Sequence, residues 1–128
     1  MIRTVHTDNA PAALGPYSQA KAVCRLVFTS GQIAIDPAEG KIVADTIEGQ
    51  TEQVCKNLGE VLKAAGTDFD RVIKTTCFLK NMGDFAAFNA VYGKYLTSKP
   101  ARSCVAAADL PAGALVELEV IAEAADKE

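Results

Sequence analysis

The chain has 128 residues, enough for one domain with its own core, and 49% hydrophobic against 23% charged residues is an ordinary globular balance. A net charge of −3 and a pI near 5.2, with no tract of lysine or arginine, count against a polyanion as the main partner, because phosphate contacts supply most nucleic-acid affinity. No apolar run is long enough to span a bilayer, and residues 1–10 carry Arg3, His6 and Asp8 where a secretory signal has its apolar stretch, so the expected compartment is the cytoplasm.

In chain order, Pro11, Gly15 and Pro16 punctuate the start, and residues 17–22 read as a short strand. Residues 24–30 (Cys-Arg-Leu-Val-Phe-Thr-Ser) are rich in strand formers and end at Gly31. The apolar pattern resumes over 32–35, and Asp36-Pro37-Ala38-Glu39-Gly40 reads as a turn into another short strand near Ile42. A helix follows. Asp45 with Glu48 has capping-box spacing, Thr46 is the alternative cap, and Gly66 is placed to end the helix. Ile47, Val54, Leu58, Val61, Leu62 and Ala65 form its apolar stripe. Residues 72–79 read as a strand in the middle of a sheet. Asn81 or Asp84 then opens a second helix with Phe85, Phe88, Val91, Tyr92, Tyr95 and Leu96 inward, and Lys99-Pro100 stops it. The tail reads as a hairpin, strands 102–108 and 115–122, turning at Leu110-Pro111-Ala112-Gly113.

The expected order is therefore βββαβαββ, one α+β domain over residues 1–128, a mixed sheet with both helices on one side. The opposite face lies open, and further copies of the chain are the economical cover for its apolar residues.

Cys24, Cys55, Cys77 and Cys104 are widely spaced, and His6 is the single histidine, so the soft ligands for zinc are too few at usable spacing. Free thiols, mostly buried, are expected in a reducing compartment. Catalysis, if any, then runs on side chains without metal or cofactor.

Pro100-Ala101-Arg102-Ser103-Cys104 puts the arginine and the cysteine on one face of a strand. Taken alone, Arg102 reads as a strand-end arginine paired to a surface carboxylate, and Cys104 as an inert buried thiol. Glu117 and Glu119 alternate with apolar residues, the usual pattern of a wet strand face. The hairpin register, however, sets Glu119 opposite Cys104 and Glu117 opposite Ala106, on the face of Arg102. Arg102 and Glu117 then stand about 13 Å apart along the strand, with room for a small molecule between them. A guanidinium grips a carboxylate with two parallel hydrogen bonds, and a glutamate beyond it can take a proton from water. A compact acid with an electrophilic carbon beside its carboxylate suits that pair. Ser30-Gly31 is a strand stop or a set of substrate-binding hydroxyl and amide groups. Tyr17 is a lid or a packed loop residue, and Asn89 faces water or bonds buried backbone.

Together, Ala10–Gln19 (APAALGPYSQ), Thr29–Ile33 (TSGQI), Lys74-Thr75-Thr76, Asp84-Phe85, Asn89, Pro100–Val105 (PARSCV), Leu110-Pro111 and Glu117-Leu118-Glu119 resemble the Rid (YjgF) family, RidA subgroup, over nearly the whole chain. That resemblance implies a chorismate-mutase-like α+β fold with a six-stranded sheet, and a homotrimer with sites in the clefts between subunits. It also implies hydrolysis of 2-iminopropanoate and 2-iminobutanoate, which pyridoxal-phosphate enzymes release, to 2-keto acids and ammonia. In this likeness Arg102 binds the substrate carboxylate and Glu117, rather than Glu119, works with the attacking water. Cys104 joins them as a catalytic residue that helps position the water or substrate, and Tyr17, Ser30, Gly31 and Asn89 bind the substrate. One departure is Lys99, which stands where many relatives carry an aromatic residue, after a shortened segment that alters the cleft rim. The competing readings are an RNA-cleaving or translation-inhibiting protein and a ligand-binding or chaperone-like trimer without turnover.

Overall fold

The computed structural model describes residues 1–124. Its strands are β1 (Arg3–Val5), β2 (Ala20–Val23), β3 (Leu26–Thr29), β4 (Ile35–Asp36), β5 (Lys41–Ile42), β6 (Val72–Leu79), β7 (Ala101–Ala106) and β8 (Val116–Glu123). The helices are α1 (Ile47–Ala64), between β5 and β6, and α2 (Phe85–Tyr95), between β6 and β7. Six strands form one mixed sheet in the order β1-β2-β3-β8-β6-β7, and β4 and β5 pair separately. The α+β architecture and the six-stranded sheet are those expected from the sequence.

Local chemistry sets the helix ends. Thr46, not Asp45, caps α1: its hydroxyl accepts from the Gly49 N–H at 3.1 Å. At the other end Gly66 takes φ +82°, and the N–H groups of Thr67 and Gly66 reach the carbonyls of Leu62 and Lys63. This is a Schellman stop. A short 3-10 turn, Met82–Asp84, leads into α2, and neither Asn81 nor Asp84 caps through its side chain.

Two strand expectations are corrected. The run 24–30 is interrupted at its start: Cys24 adopts φ +55° and turns the chain between β2 and β3, pairing Val23 with Leu26. A left-handed residue at that position is normally Gly or Asn, so no turn signal was present. The strand expected over 17–22 likewise begins only at Ala20. The second correction bears on function. The strands β7 and β8 are not a hairpin, because β6 lies between them, parallel to β7 and antiparallel to β8. The crossover through α2 carries β7 to the outer side of β6, which leaves the inner side for β8.

Alternation along these strands then makes two unlike faces. Val27, Thr75, Cys77, Leu79, Val116, Leu118, Val120 and Ala122 are buried toward the helices, against Val54, Leu58, Val61 and Leu62 of α1 and Phe88 of α2. The other face bears Phe28, Phe78, Val105, Glu117, Glu119 and Ile121, with Phe28 40% and Val105 50% exposed. Its edge strand β7 has no neighbour beyond it, and five of its six residues are exposed. No described helix is long and apolar enough to cross a membrane.

Candidate functional site

Register across β6 fixes where the candidate residues point. Thr75 pairs with Arg102 on one side and Val120 on the other, while Phe78 pairs with Val105 and Glu117. Laterally paired residues share a face. Arg102 therefore shares the helix-side face with Thr75, Cys77 and Cys104, and Glu117 shares the open face with Glu119. Within one chain the two stand on opposite sides of the sheet. The expected opposition of Glu119 to Cys104 and of Glu117 to Ala106 is lost with the hairpin. The candidate residues separate into two half-sites.

The first half-site is built by α2 around Arg102. Residues 85, 89 and 92 fall on one helical face, by the spacing of four and then three. The Asn89 side-chain carbonyl accepts a hydrogen bond from the Arg102 guanidinium at 2.7 Å. The guanidinium carbon lies 4.9 Å from the centroid of the Tyr92 ring and 5.3 Å from that of Phe85, within cation–π range. Tyr92 is itself tied by a 2.8 Å hydrogen bond to the buried hydroxyl of Thr75. Arg102 makes no ion pair among the described residues, so the surface-carboxylate partner that its position suggested is not seen. Beside it opens a cleft of about 470 Å³. Cys104 is half-buried next to Cys77, and burial pushes its thiol pKa up more than the nearby Arg102 guanidinium pulls it down. That environment suits an inert thiol better than a nucleophile. Burial likewise pushes Cys77 up, to about 12.

The second half-site is built from loops on Glu117. A cavity of about 650 Å³ brings together Tyr17, Ser30, Gly31, Glu117 and Glu119 with Pro11 and Leu14. Residue 32 bridges to Leu118 of β8 through paired backbone hydrogen bonds, which lays Gly31 directly against Glu117. The approach is close: a Cβ on Gly31 would stand 2.8 Å from Cδ and 3.0 Å from Cγ of Glu117, so the Glu117 side chain would have to swing aside to admit one. Burial raises the Glu117 pKa above the ordinary 4.5, and the neighbouring Glu119 carboxylate adds to the rise. The Ser30 hydroxyl donates to the Ser18 carbonyl, leaving its oxygen able to accept. Tyr17 is 54% exposed at the rim.

Three supporting residues escaped the sequence reading of the site. Phe85 and Tyr92 were read as core only, although their spacing around Asn89 was the available signal. Gln19 is 2% exposed and binds Thr7 through both ends of its amide, and also the Pro11 carbonyl, which anchors the segment leading to Tyr17. A glutamine beside a loop carries no periodic signal. No group of three or more His, Cys, Asp or Glu side chains among the described residues could hold a metal.

The family model described as Endoribonuclease L-PSP, the Rid (YjgF) family, matches residues 7–124. The chain belongs to this family. A Lactococcus lactis protein named as the regulator AldR is 55% identical, the match covering 95% of this chain and 98% of the relative. The mouse protein named 2-iminobutanoate/2-iminopropanoate deaminase is 47% identical, over 94% of this chain and 90% of its own. Among solved structures, Escherichia coli TdcF with bound serine superposes with a TM-score of 0.90 at 37% identity, covering 96% of this chain and 99% of the other.

Proposed function

We propose that this chain is an imine deaminase, hydrolysing 2-iminopropanoate and 2-iminobutanoate to 2-keto acids and ammonia in clefts between copies of itself. The observation that carries the reading is the pair of half-sites. A guanidinium free of described carboxylates opens into one cleft, and a carboxylate of raised pKa lines another, on opposite faces of one sheet. One molecule cannot be held by both in a single protomer. The outer edge of β7, which carries Arg102, docks onto the open face of a second copy, and its Arg102 meets that copy's Glu117. Repetition of this head-to-tail contact closes a ring, a homotrimer in the arrangement that the Rid resemblance implies. The exposed Phe28 and Val105 and the unpaired edge of β7 support the contact. The name of the mouse relative supports the substrate.

In this mechanism Arg102, steadied by Asn89, binds the substrate carboxylate with two charge-assisted hydrogen bonds. The protonated imine carbon becomes the electrophile. Glu117 takes a proton from water as its oxygen adds, giving a carbinolamine. Glu117 passes that proton to nitrogen, the C–N bond breaks and ammonia leaves as Glu117 takes the hydroxyl proton and the carbonyl forms. A carboxyl pKa raised toward the working pH suits a group that must both accept and return the proton. Tyr17, Ser30 and the Gly31 backbone line the water side, and Cys104 packs beside the anchor. No cofactor takes part.

The test generates either imine in situ with an amino-acid-oxidising enzyme, traps it with semicarbazide, and adds the protein. Loss of the semicarbazone signal is expected. In Arg102→Ala, kcat/KM should fall by about 10²- to 10⁴-fold, the worth of two hydrogen bonds to a charged group, while the fold and oligomer persist. Near-normal turnover in that variant would remove Arg102 from the site. RNA cleavage retained by pure Arg102→Ala, with no imine hydrolysis by either protein, would favour the endoribonuclease reading.

A further inference from the structure

The cleft beside Arg102 holds a second cation. After α2 the chain makes a tight turn in which the Lys99 N–H bonds the Leu96 carbonyl at 3.2 Å. Lys99 adopts φ +57°, a left-handed conformation that strains any residue with a Cβ, and it does so directly before Pro100, which favours an extended neighbour. Strain of this kind persists where the surroundings impose it and often marks a functional position. Lys99 lines the same cleft as Arg102, whose walls also include Tyr92, Leu96 and Pro100.

The charge balance of this cleft is one-sided. None of its lining residues is Asp or Glu, and neither Lys99 nor Arg102 forms an ion pair among the described residues. Three residues of extended chain separate their Cα atoms by at most about 11 Å, so two long side chains can converge on one ligand. A single carboxylate on Arg102 leaves the ammonium unanswered. A ligand with two carboxylates answers both cations, and the cleft, at about 470 Å³, has room for a chain longer than four carbons.

We propose that the substrates of this protein include 2-imino dicarboxylic acids, with Arg102 holding the carboxylate next to the imine and Lys99 the distal one. This rests on the deaminase reading above and extends it to a substrate class. The reaction is the same: the protonated imine and one water give the 2-keto dicarboxylate and ammonium, with no change of oxidation state. The supplying reaction is an oxidation of an acidic amino acid at its α-carbon, which releases such an imine.

The experiment generates 2-iminoglutarate with a glutamate oxidase and catalase, and 2-iminobutanoate in parallel, both under semicarbazide trapping with the intact oligomer. The readout is the ratio of kcat/KM for the dicarboxylic over the monocarboxylic imine. Lys99→Ala should lower that ratio about three- to tenfold, the worth of one partly exposed ion pair. Lys99→Glu should lower it further, and Lys99→Arg should preserve it. Lys99→Gly, which suits the left-handed backbone, should match Lys99→Ala and so separate lost charge from a rebuilt turn. Raising ionic strength should erode the ratio in the unmodified protein. A ratio unmoved by Lys99→Glu, or hydrolysis of 2-iminobutanoate without 2-iminoglutarate, would overturn the proposal and leave the deaminase reading standing. Hydrolysis of neither imine would instead remove the deaminase reading itself.

Discussion

The two half-sites are made in opposite ways. Arg102 stands on an edge strand and owes its placement to side chains: Asn89 by a hydrogen bond, Phe85 and Tyr92 by their ring faces. Glu117 stands inside the sheet, and backbone determines its surroundings, through the bridge at Gln32 and the bare Cα of Gly31. Three weak contacts that each do part of the work should fail gradually. A carboxylate seated where a Cβ would go should be displaced in one step by a single methyl.

That contrast orders the expected effects. Gly31→Ala retains every charged group in the proposed site yet forces the Glu117 carboxylate aside, because the methyl would occupy its place. The loss in kcat/KM should approach that of Glu117→Ala itself, about 10²-fold or more, the usual share of a general base. Stopped turnover with an unchanged circular dichroism spectrum is the expected pair of readings. Turnover within a factor of two of the unmodified protein would show that Glu117 does not need its present position.

Mixing sharpens the comparison from another side. Arg102→Ala and Glu117→Ala are each expected to be nearly inactive alone. Unfolded together in equal amounts and refolded, they form oligomers in which some clefts pair an intact arginine with an intact glutamate. Random assembly around a ring gives about a quarter of the clefts both groups, so about a quarter of normal activity should return. Activity that stays at the level of the separate variants would mean that both residues serve a cleft within one protomer, against the face assignment made from β6.

The protonation of Glu117 supplies a smaller effect with a definite sign. As a general base it works ionised, so kcat/KM should fall as pH drops through its pKa, which burial and Glu119 raise above 4.5. Glu119→Gln removes the like charge and should move that acid limb to lower pH. For stability the sign is the reverse of a salt-bridged carboxylate. A folded pKa above the unfolded one means that the folded state holds its proton more tightly, so this group destabilises the fold above the raised pKa and ceases to do so below 4.5. Glu119→Gln should therefore also raise the melting temperature near neutrality. An acid limb unmoved by the substitution would take Glu119 out of the electrostatics of the site.

What the sequence showed and hid follows the same division between local and non-local causes. The stripe of α1, its Gly66 stop and both ends of β6 were legible, because periodicity and capping are written within a few residues. The turn at Cys24 was not, since its residue type contradicts its backbone. The larger error came from neighbours in sequence. Leu110-Pro111-Ala112-Gly113 does turn, with positive φ at Ala112 and Gly113, and two strands flank it. Sequential strands pair more often than not. Nothing between residues 101 and 123 reports that β6 has already taken the place between them. Block resemblance points to Arg102, Glu117, Tyr17, Ser30, Gly31 and Asn89 as candidates, but the opposite sheet faces of Arg102 and Glu117 depend on that third strand.

The gradual side of the comparison is tested by Tyr92, whose two roles separate. Its ring lies under the guanidinium, and its hydroxyl bonds the buried Thr75. Tyr92→Phe keeps the ring and loses the hydroxyl, stranding Thr75 without that partner, so stability should fall by about 1–3 kcal/mol with little change in KM. Tyr92→Leu loses the ring as well. An exposed cation–π contact is worth about 0.5–1 kcal/mol, so KM should rise a further two- to fivefold while kcat changes less. Asn89 and Phe85 still hold the guanidinium in that variant, which is why the effect stays small. If Tyr92→Leu instead loses activity on the scale of Gly31→Ala, the arginine depends on one rigid contact after all, and the two halves fail by the same rule.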